Sequence, residues 1–279
     1  RVIVVLYVDD LLILSKLDQS GVDVVDMLKA TFDEVSEKEG DLLSFLGLEI
    51  ITHENADVKV CQSSYLADII EASGVTGTAP TPATDDLMKE RDMEHMCDDP
   101  ELFYSVVMKL MYASVRTRPD IQYVIGILSG RVKDPTARDR LSLDRVLRYL
   151  NGTIMDGLIY RADGTWCLSM SVDASFNHHF DAKGHSGFVV FAADGSAGVL
   201  FKSLKQKTVA NSSCESELIA LHEAVLNLLW IARIYTELGY HNTGTIKIQQ
   251  DNKAAILLSS QNPVNFKGRS KFINRLYFS

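Results

Sequence analysis

Near its start the sequence reads Val2-Ile3-Val4-Val5-Leu6-Tyr7-Val8-Asp9-Asp10-Leu11-Leu12-Ile13-Leu14. Two apolar arms around a short polar centre predict strand, tight turn, strand. The arms constrain the fold, and the acids constrain the chemistry. Two adjacent carboxylates at a hairpin tip repel one another unless a cation compensates them, and hard oxygen ligands suit magnesium. Asp-Asp is also ordinary turn chemistry, so on these residues alone a metal motif and a plain acidic turn both stand.

After the hairpin, Val22, Val25, Leu28 and Phe32 recur at helical spacing. Phe45-Leu46-Gly47-Leu48-Glu49-Ile50 predicts another strand with Val58-Lys59-Val60 as its hairpin partner, and Ser64 to Ser73 a short helix. Between Gly74 and Pro100 the character changes. Three of the six prolines fall there among many Thr, Asp and Glu residues, which predicts a linker or long surface loop. Helical patterning returns from Leu102 to Leu150, broken at Arg118-Pro119 and ended by Asn151-Gly152, where a left-handed cap is expected.

The last third alternates differently. Cys167 to Asp173, Gly187 to Ala192 and Ala197 to Lys202 read as strands. Ser212 to Gly239 reads as one long amphipathic helix with a stripe of Leu218, Leu221, Val225, Leu228, Ala232, Tyr235 and Leu238. A strand from Thr245 to Gln250, ending at Asp251, and a short helix from Lys253 to Ser260 follow. The layout is mixed α/β.

With 279 residues, two to three compact units are expected. The longest apolar runs fall well short of a membrane span, and no membrane partner is expected. Arg1 leads straight into a strand rather than a signal peptide, which reads as a fragment without initiator Met. Cys61, Cys97, Cys167 and Cys214 are too scattered for a metal cluster and read as reduced thiols of an intracellular protein. The net charge of −9 is uneven. Residues 1–101 hold 7 basic and 23 acidic side chains, residues 102–165 hold 10 and 6, and residues 166–279 hold 11 and 8. Only the mildly basic remainder resembles a nucleic-acid footprint.

Set in V-V-L-Y-V-D-D-L-L-I-L, the Asp9-Asp10 pair resembles the metal-binding motif of reverse transcriptases. The resemblance extends to Phe45-Leu46-Gly47-Leu48-Glu49-Ile50, similar to the L-G-type hairpin that follows that motif. It continues through Tyr104-Ser105-Val106-Val107, Leu110-Met111-Tyr112, Thr117-Arg118-Pro119-Asp120-Ile121 and Arg145-Val146-Leu147-Arg148-Tyr149-Leu150-Asn151-Gly152-Thr153. These strings resemble the region after the polymerase palm in copia-type retrotransposon polyproteins. Met108 departs, standing where the family usually has Gly.

Three acids carry a second resemblance. Asp173 stands at the end of an apolar strand, Glu217 in the first turns of the long helix, and Asp251 at the end of the next strand. Together they look like the ribonuclease H catalytic set, which hydrolyses RNA with two metal ions about 3.5–4 Å apart. Glu215 competes for the helix position, but Ser212-x-x-Glu215 fits a capping box, and Glu217 directly precedes the apolar run Leu218-Ile219-Ala220-Leu221 as the family's glutamate does. Asn274 occupies the position where the family has a fourth aspartate, and Phe272 the position of its histidine.

The resemblance implies the end of a reverse-transcriptase palm over residues 1–75, a linker over 76–101, a helical thumb or connection region over 102–163, and a ribonuclease H-like mixed-sheet domain over 166–279. It implies Asp9, Asp10, Asp173, Glu217 and Asp251 as catalytic carboxylates holding Mg2+ or Mn2+, with Asn274 at the fourth ribonuclease H position. The implied partners are RNA–DNA hybrid, RNA template, DNA and the polyprotein upstream, in the cytoplasm or nucleus. Polymerisation itself is expected to be incomplete, since a further carboxylate and the nucleotide-binding fingers would precede Arg1, and the final helix is cut at Ser279. Asn274, Phe272 and Met108 leave open a decayed fold that only binds nucleic acid or serves as structure. Lys267, Arg269, Lys271 and Arg275, and separately Lys202, Lys205 and Lys207, are candidate phosphate contacts or solvated faces. His178-His179 read as a surface loop, and Trp166 and Trp230 as core.

Overall fold

The computed structural model describes residues 2–15, 18–91, 93–240 and 244–260. It opens on the expected hairpin, β1 (Val2–Tyr7) and β2 (Asp10–Ser15). Tyr7 pairs with Asp10, which leaves Val8-Asp9 as a two-residue loop. Val8 sits at φ 53°, in the left-handed region, where a β-branched residue is strained. Helix α1 (Asp18–Thr31) follows and packs on β2.

A second, antiparallel sheet takes the order β3 (Leu42–Phe45), β4 (Leu48–Thr52), β5 (Val58–Cys61), β6 (Leu158–Tyr160). The single strand that patterning predicts over Phe45–Ile50 is therefore two, in the hairpin that the L-G-type resemblance implies. Phe45 pairs with Leu48 across Leu46-Gly47, whose φ values of 54° and 72° give the left-handed pair that such hairpin loops require. The apolar letters concealed the turn, and Gly47 was its one signal. The Tyr112 hydroxyl donates to the Leu46 carbonyl at 2.6 Å and ties the turn to the helical body. Strand β6 had no local signal. It is three residues long and exists because β5 offers it an edge from far away in sequence.

Between β5 and β6 lies a helical body made of α2 (Ser63–Ser73), α3 (Pro100–Arg116), α4 (Gln122–Ser129) and α5 (Ala137–Gly152). Its core includes Leu66, Phe103, Leu110, Ile125, Leu128, Leu143, Leu147 and Leu150, all essentially without solvent contact. Burying each contributes on the order of 1.5–3 kcal/mol. Helix α3 starts where Asp99 accepts from the Leu102 N–H and Pro100 presets the first turn. Helix α5 starts on a capping box between Thr136 and Asp139. Its end differs from expectation: Gly152 is still helical, and the cap Thr153 has φ −130°, not a left-handed value. A tertiary bond holds that end instead, as the Asn151 amide donates to the Gly77 carbonyl at 3.0 Å.

The buried guanidinium of Arg118 explains why two distant strings matter together. It grips Asp120 through two nitrogens and donates to the Thr153 carbonyl at 2.9 Å and hydroxyl at 2.7 Å. The Tyr149 hydroxyl donates to the same Asp120. The Thr-Arg-Pro-Asp and Tyr-Leu-Asn-Gly-Thr segments are thus two halves of one clamp around the buried Arg118. The stretch 74–100 runs over the surface as expected, but it is anchored by buried Leu87 and Cys97 and by Arg91, which pairs with Asp134 and Asp139.

The last sheet has the order β10 (Lys247–Gln249), β7 (Trp166–Ser175), β8 (His185–Ala193), β9 (Gly198–Lys205). Strand β10 runs parallel to β7, and the other pairs are antiparallel. Helix α6 (Ser213–Glu237) covers one face, and α7 (Lys253–Ser259) packs on α6. Leu168, Met170 and Val172 of β7 and Phe188 and Val190 of β8 meet Ala220, Ala224, Leu228 and Ile231. The expected stripe does face the sheet, with Leu218 and Leu228 buried and Leu221, Val225, Ala232 and Tyr235 packed at its margin, and Ala220 and Ala224 join it where the helix approaches the sheet closely. By length and composition α6 is apolar enough to cross a membrane; here its apolar stripe is spent on the sheet. Trp166 and Trp230, expected in the core, are 58% and 57% exposed. Trp166 stacks on Tyr240 at 4.7 Å between centroids, which shields the ring without burying it. The helical body meets this sheet where Gln122 of α4 donates to the Phe201 carbonyl at 3.4 Å.

Candidate metal centre

Parallel pairing fixes the first two acids. Ser171 of β7 stands opposite Gln249 of β10, and their side chains bond at 2.9 Å. Two residues further along each chain come Asp173 and Asp251, so both carboxylates leave the same edge of the sheet. Helix α6 brings the third. Its cap Ser212 accepts from the Glu215 N–H, and Glu217 follows on the buried side of the first turns. Carboxylate oxygens of Asp173, Glu217 and Asp251 all lie within 4.8 Å of one another.

Such proximity has an electrostatic consequence. Burial, then the charges of Asp173 and Asp251, push the Glu217 carboxyl up to about 7, against the lowering effect of hydrogen bonds from Gln250 and the Ala174 N–H. The Gln250 amide donates to Glu217 at 3.0 Å and holds the side chain toward the two aspartates. A centre this crowded with carboxylates, one of them with its titration raised to about 7, fits a divalent cation chemically. Beside it a cavity of about 340 Å³, lined among others by Asp173, Ser171, Gly187, Gln122 and Tyr123, opens between the sheet and α4.

Glu215 is placed as expected, but with a shifted bond. Its carboxylate accepts from the backbone and side-chain nitrogens of Asn211, at 2.7 and 2.8 Å, one residue before the cap. It is turned away from the cluster and spent on the helix start.

Five supporting residues, Gln206, Ser186, Ser216, Gly184 and Gln250, escaped sequence reasoning. Gln206 is buried, donating to Ser186 and to the Ser216 carbonyl while accepting from the Ser216 hydroxyl. Gly184 makes room for it, since a Cβ there would lie 2.4 Å from the Gln206 side-chain oxygen. This network fixes the start of α6 on the end of β9, one residue before Glu217. Gln250 completes the set. No motif marks these residues, because their role is contact across elements.

Asp9 and Asp10 are not brought to this cluster. They stand exposed at the tip of the first hairpin, where the exposed Tyr7 and Val8 flank them. Asn274, Phe272 and the basic group Lys267, Arg269, Lys271 and Arg275 lie outside the described residues. The other basic group divides: strand register puts Lys202 opposite Phe188 and Lys205 opposite His185, on opposite faces of the sheet. Lys205 is also paired with Asp181 at 2.9 Å. His178 and His179 do lie in a loop, yet they are only half exposed and meet His185.

Residues 1–84 match the family model described as reverse transcriptase (RNA-dependent DNA polymerase), which sets the class. The chain is 29% identical over 99% of its length to the retrovirus-related Pol polyprotein from transposon TNT 1-94 of Nicotiana tabacum, covering 21% of that protein. It is 31% identical over 96% of its length to the corresponding polyprotein from transposon RE2 of Arabidopsis thaliana, covering 18% of it. A putative transposon Ty5-1 protein of Saccharomyces cerevisiae is 30% identical over 81% of the chain and is itself covered to 73%. The chain belongs to the copia-type retrotransposon polyprotein family, and it spans about a fifth of the two plant polyproteins.

Proposed function

We propose that residues 166–279 form a ribonuclease H-like nuclease domain that cleaves the RNA strand of RNA–DNA hybrids, downstream of a palm and a helical connection region belonging to the same reverse transcriptase. The observation that carries this reading is the meeting of Asp173, Glu217 and Asp251 from strand, helix and parallel strand within 4.8 Å. These three residues would hold Mg2+ or Mn2+, which when bound supplies an activated water and stabilises the leaving 3′ oxygen. Asp173 and Asp251 set the charge at the sheet edge. Glu217, whose titration burial and the neighbouring carboxylates raise to about 7, would serve as a ligand in its deprotonated form. Gln250 orients it throughout. The cavity beside Asp173 leaves room for a nucleic-acid strand to approach from the α4 side.

Asp9 and Asp10 are assigned to the polymerase centre, where further parts of the polyprotein would complete the ligand set. Both carboxylates already share one hairpin tip, and strain at Val8 costs about 1–3 kcal/mol, a cost that a functional turn geometry accounts for.

The test is hydrolysis of a labelled RNA–DNA hybrid by the purified chain with magnesium or manganese. Asp173→Asn and Glu217→Gln are each expected to reduce cleavage at least about a hundredfold. Cleavage that survives both substitutions unchanged overturns the assignment. If the unmodified chain is inert while Asn274→Asp restores cleavage, the fold is a decayed nuclease rather than an active one.

A further inference from the structure

On the face away from α6, one row of residues crosses three strands. Asp173 of β7 pairs with Gly187 of β8, which pairs with Ser203 of β9. Directly paired residues share a face, so this row lies on the floor of the cavity of about 340 Å³, with α4 as its roof. The middle of the row has no side chain. A Cβ at Gly187 would meet nothing closer than the Lys202 carbonyl at 3.9 Å, and the residue has no positive φ. Neither packing nor backbone geometry therefore calls for glycine, and its effect is to keep the cavity open beside Asp173.

The roof supplies a polar group with little to do. Gln122 is 7% exposed and lines this cavity. Its amide nitrogen makes one long bond, 3.4 Å to the Phe201 carbonyl, and its side-chain carbonyl has no hydrogen-bond partner among the described residues. A buried amide left short of partners costs about 1–3 kcal/mol, a cost that a bound polar group removes. Tyr123 beside it is fixed, with its hydroxyl 2.6 Å from His178 Nε2 and its ring centroid 5.1 Å from that of His185. The roof is thus formed in advance of any ligand.

Resting on the nuclease reading above, we propose that this cavity seats a ribose of the cleaved strand and that Gln122 reads its 2′-hydroxyl. A residue of the helical body is then a specificity determinant of the nuclease. The 2′-hydroxyl both donates and accepts. The unpaired Gln122 carbonyl takes its proton, and the weakly held amide donates to its oxygen. Two strand spacings, about 10 Å, separate the ends of the row, so the ribose belongs to a nucleotide beside the scissile linkage. The volume sits at the low end of the roughly 300–1,000 Å³ of small-molecule sites, which suits one sugar and part of its base. A deoxyribose in the same seat leaves the amide unpaired, and a site built that way discriminates strongly against the analogue lacking the hydroxyl.

Equilibrium binding to the full chain carrying Asp251→Asn, in magnesium and read by fluorescence anisotropy, tests the subsite without cleavage. The probes are a labelled RNA–DNA hybrid and the same hybrid with 2′-fluoro in place of each 2′-hydroxyl, which keeps the sugar pucker and removes the donor. Gln122→Met is expected to narrow the preference for the hydroxyl form by about 3–10-fold, the worth of one or two neutral hydrogen bonds. Gly187→Val, for which the strand has room, should weaken hybrid binding by filling the seat; if it does not fold, Gln122→Met decides the matter. Hybrid cleavage with Asp251 intact tests the nuclease reading separately, since an inert chain that keeps the Gln122-dependent preference retains the subsite and loses the nuclease. Absence of binding, an unchanged preference in Gln122→Met, or full affinity in folded Gly187→Val overturns the proposal.

Discussion

The first hairpin and the carboxylate cluster both present acids, but they assemble them in opposite ways. Asp9 and Asp10 are neighbours in the chain, and a two-residue loop suffices to put them at one tip. Nothing described packs over that tip, and Leu6, Tyr7 and Val8 beside it are 68%, 57% and 78% exposed. Asp173, Glu217 and Asp251 are distant in sequence, and a sheet edge, a helix start and a buried glutamine network are needed to join them. The second arrangement drives a carboxyl, that of Glu217, away from its ordinary titration range. Adjacency supplies charge, while depth and a third carboxylate supply a perturbed centre.

Core truncation should separate the two regions most widely. Met170, on the β7 strand beneath the cluster and without solvent contact, is expected to cost about 2–5 kcal/mol when changed to Ala. Leu6→Ala should stay within about 0.5 kcal/mol. Urea denaturation of both variants makes the comparison, and equal losses would break it.

Titration of Glu217 gives a smaller effect with a definite sign. In the folded chain it keeps its proton up to about pH 7, whereas its ordinary value is 4.5. Between those values the native state binds more protons than the unfolded one. Stability measured without divalent ions should therefore be complete below about pH 4.5 and decline up to about pH 7, by at most about 3 kcal/mol. Glu217→Gln should flatten that stretch of the profile; a slope that persists assigns the proton elsewhere.

Gln206→Ala breaks the buried bonds to Ser186 and Ser216 and is expected to cost about 1–3 kcal/mol in thermal or chemical unfolding. Hybrid cleavage should fall as well, because Glu217 follows Ser216 directly. The smallest effect is expected at the first hairpin, where Asp9→Asn should leave hybrid cleavage unaltered. A loss there would join the two acid sites functionally.

Much of the candidate site could be read from residue order alone. Asp173 and Asp251 come at the ends of strand-forming runs, and Glu217 directly precedes the apolar run of the long helix. The preference for Glu217 over Glu215 also agrees with the geometry, since Glu215 is spent on Asn211. The parts that escaped are those without period. The Leu46-Gly47 turn hid inside apolar residues, β6 needed a distant edge, and the exposed Trp166 and Trp230 lay beyond any rule based on residue type.

By itself the sequence determined the kind and order of elements, because side-chain period and turn chemistry act within a few residues. It also determined the family, through strings such as Thr-Arg-Pro-Asp-Ile, although not why they matter. Tertiary structure alone decided that Arg118 clamps Asp120 to Thr153, that Gln206 seats the start of α6, and that His178 and His179 meet His185. These are contacts between groups far apart along the chain. Their energy comes from excluding water around paired polar atoms, and that pairing exists only once the layers have closed.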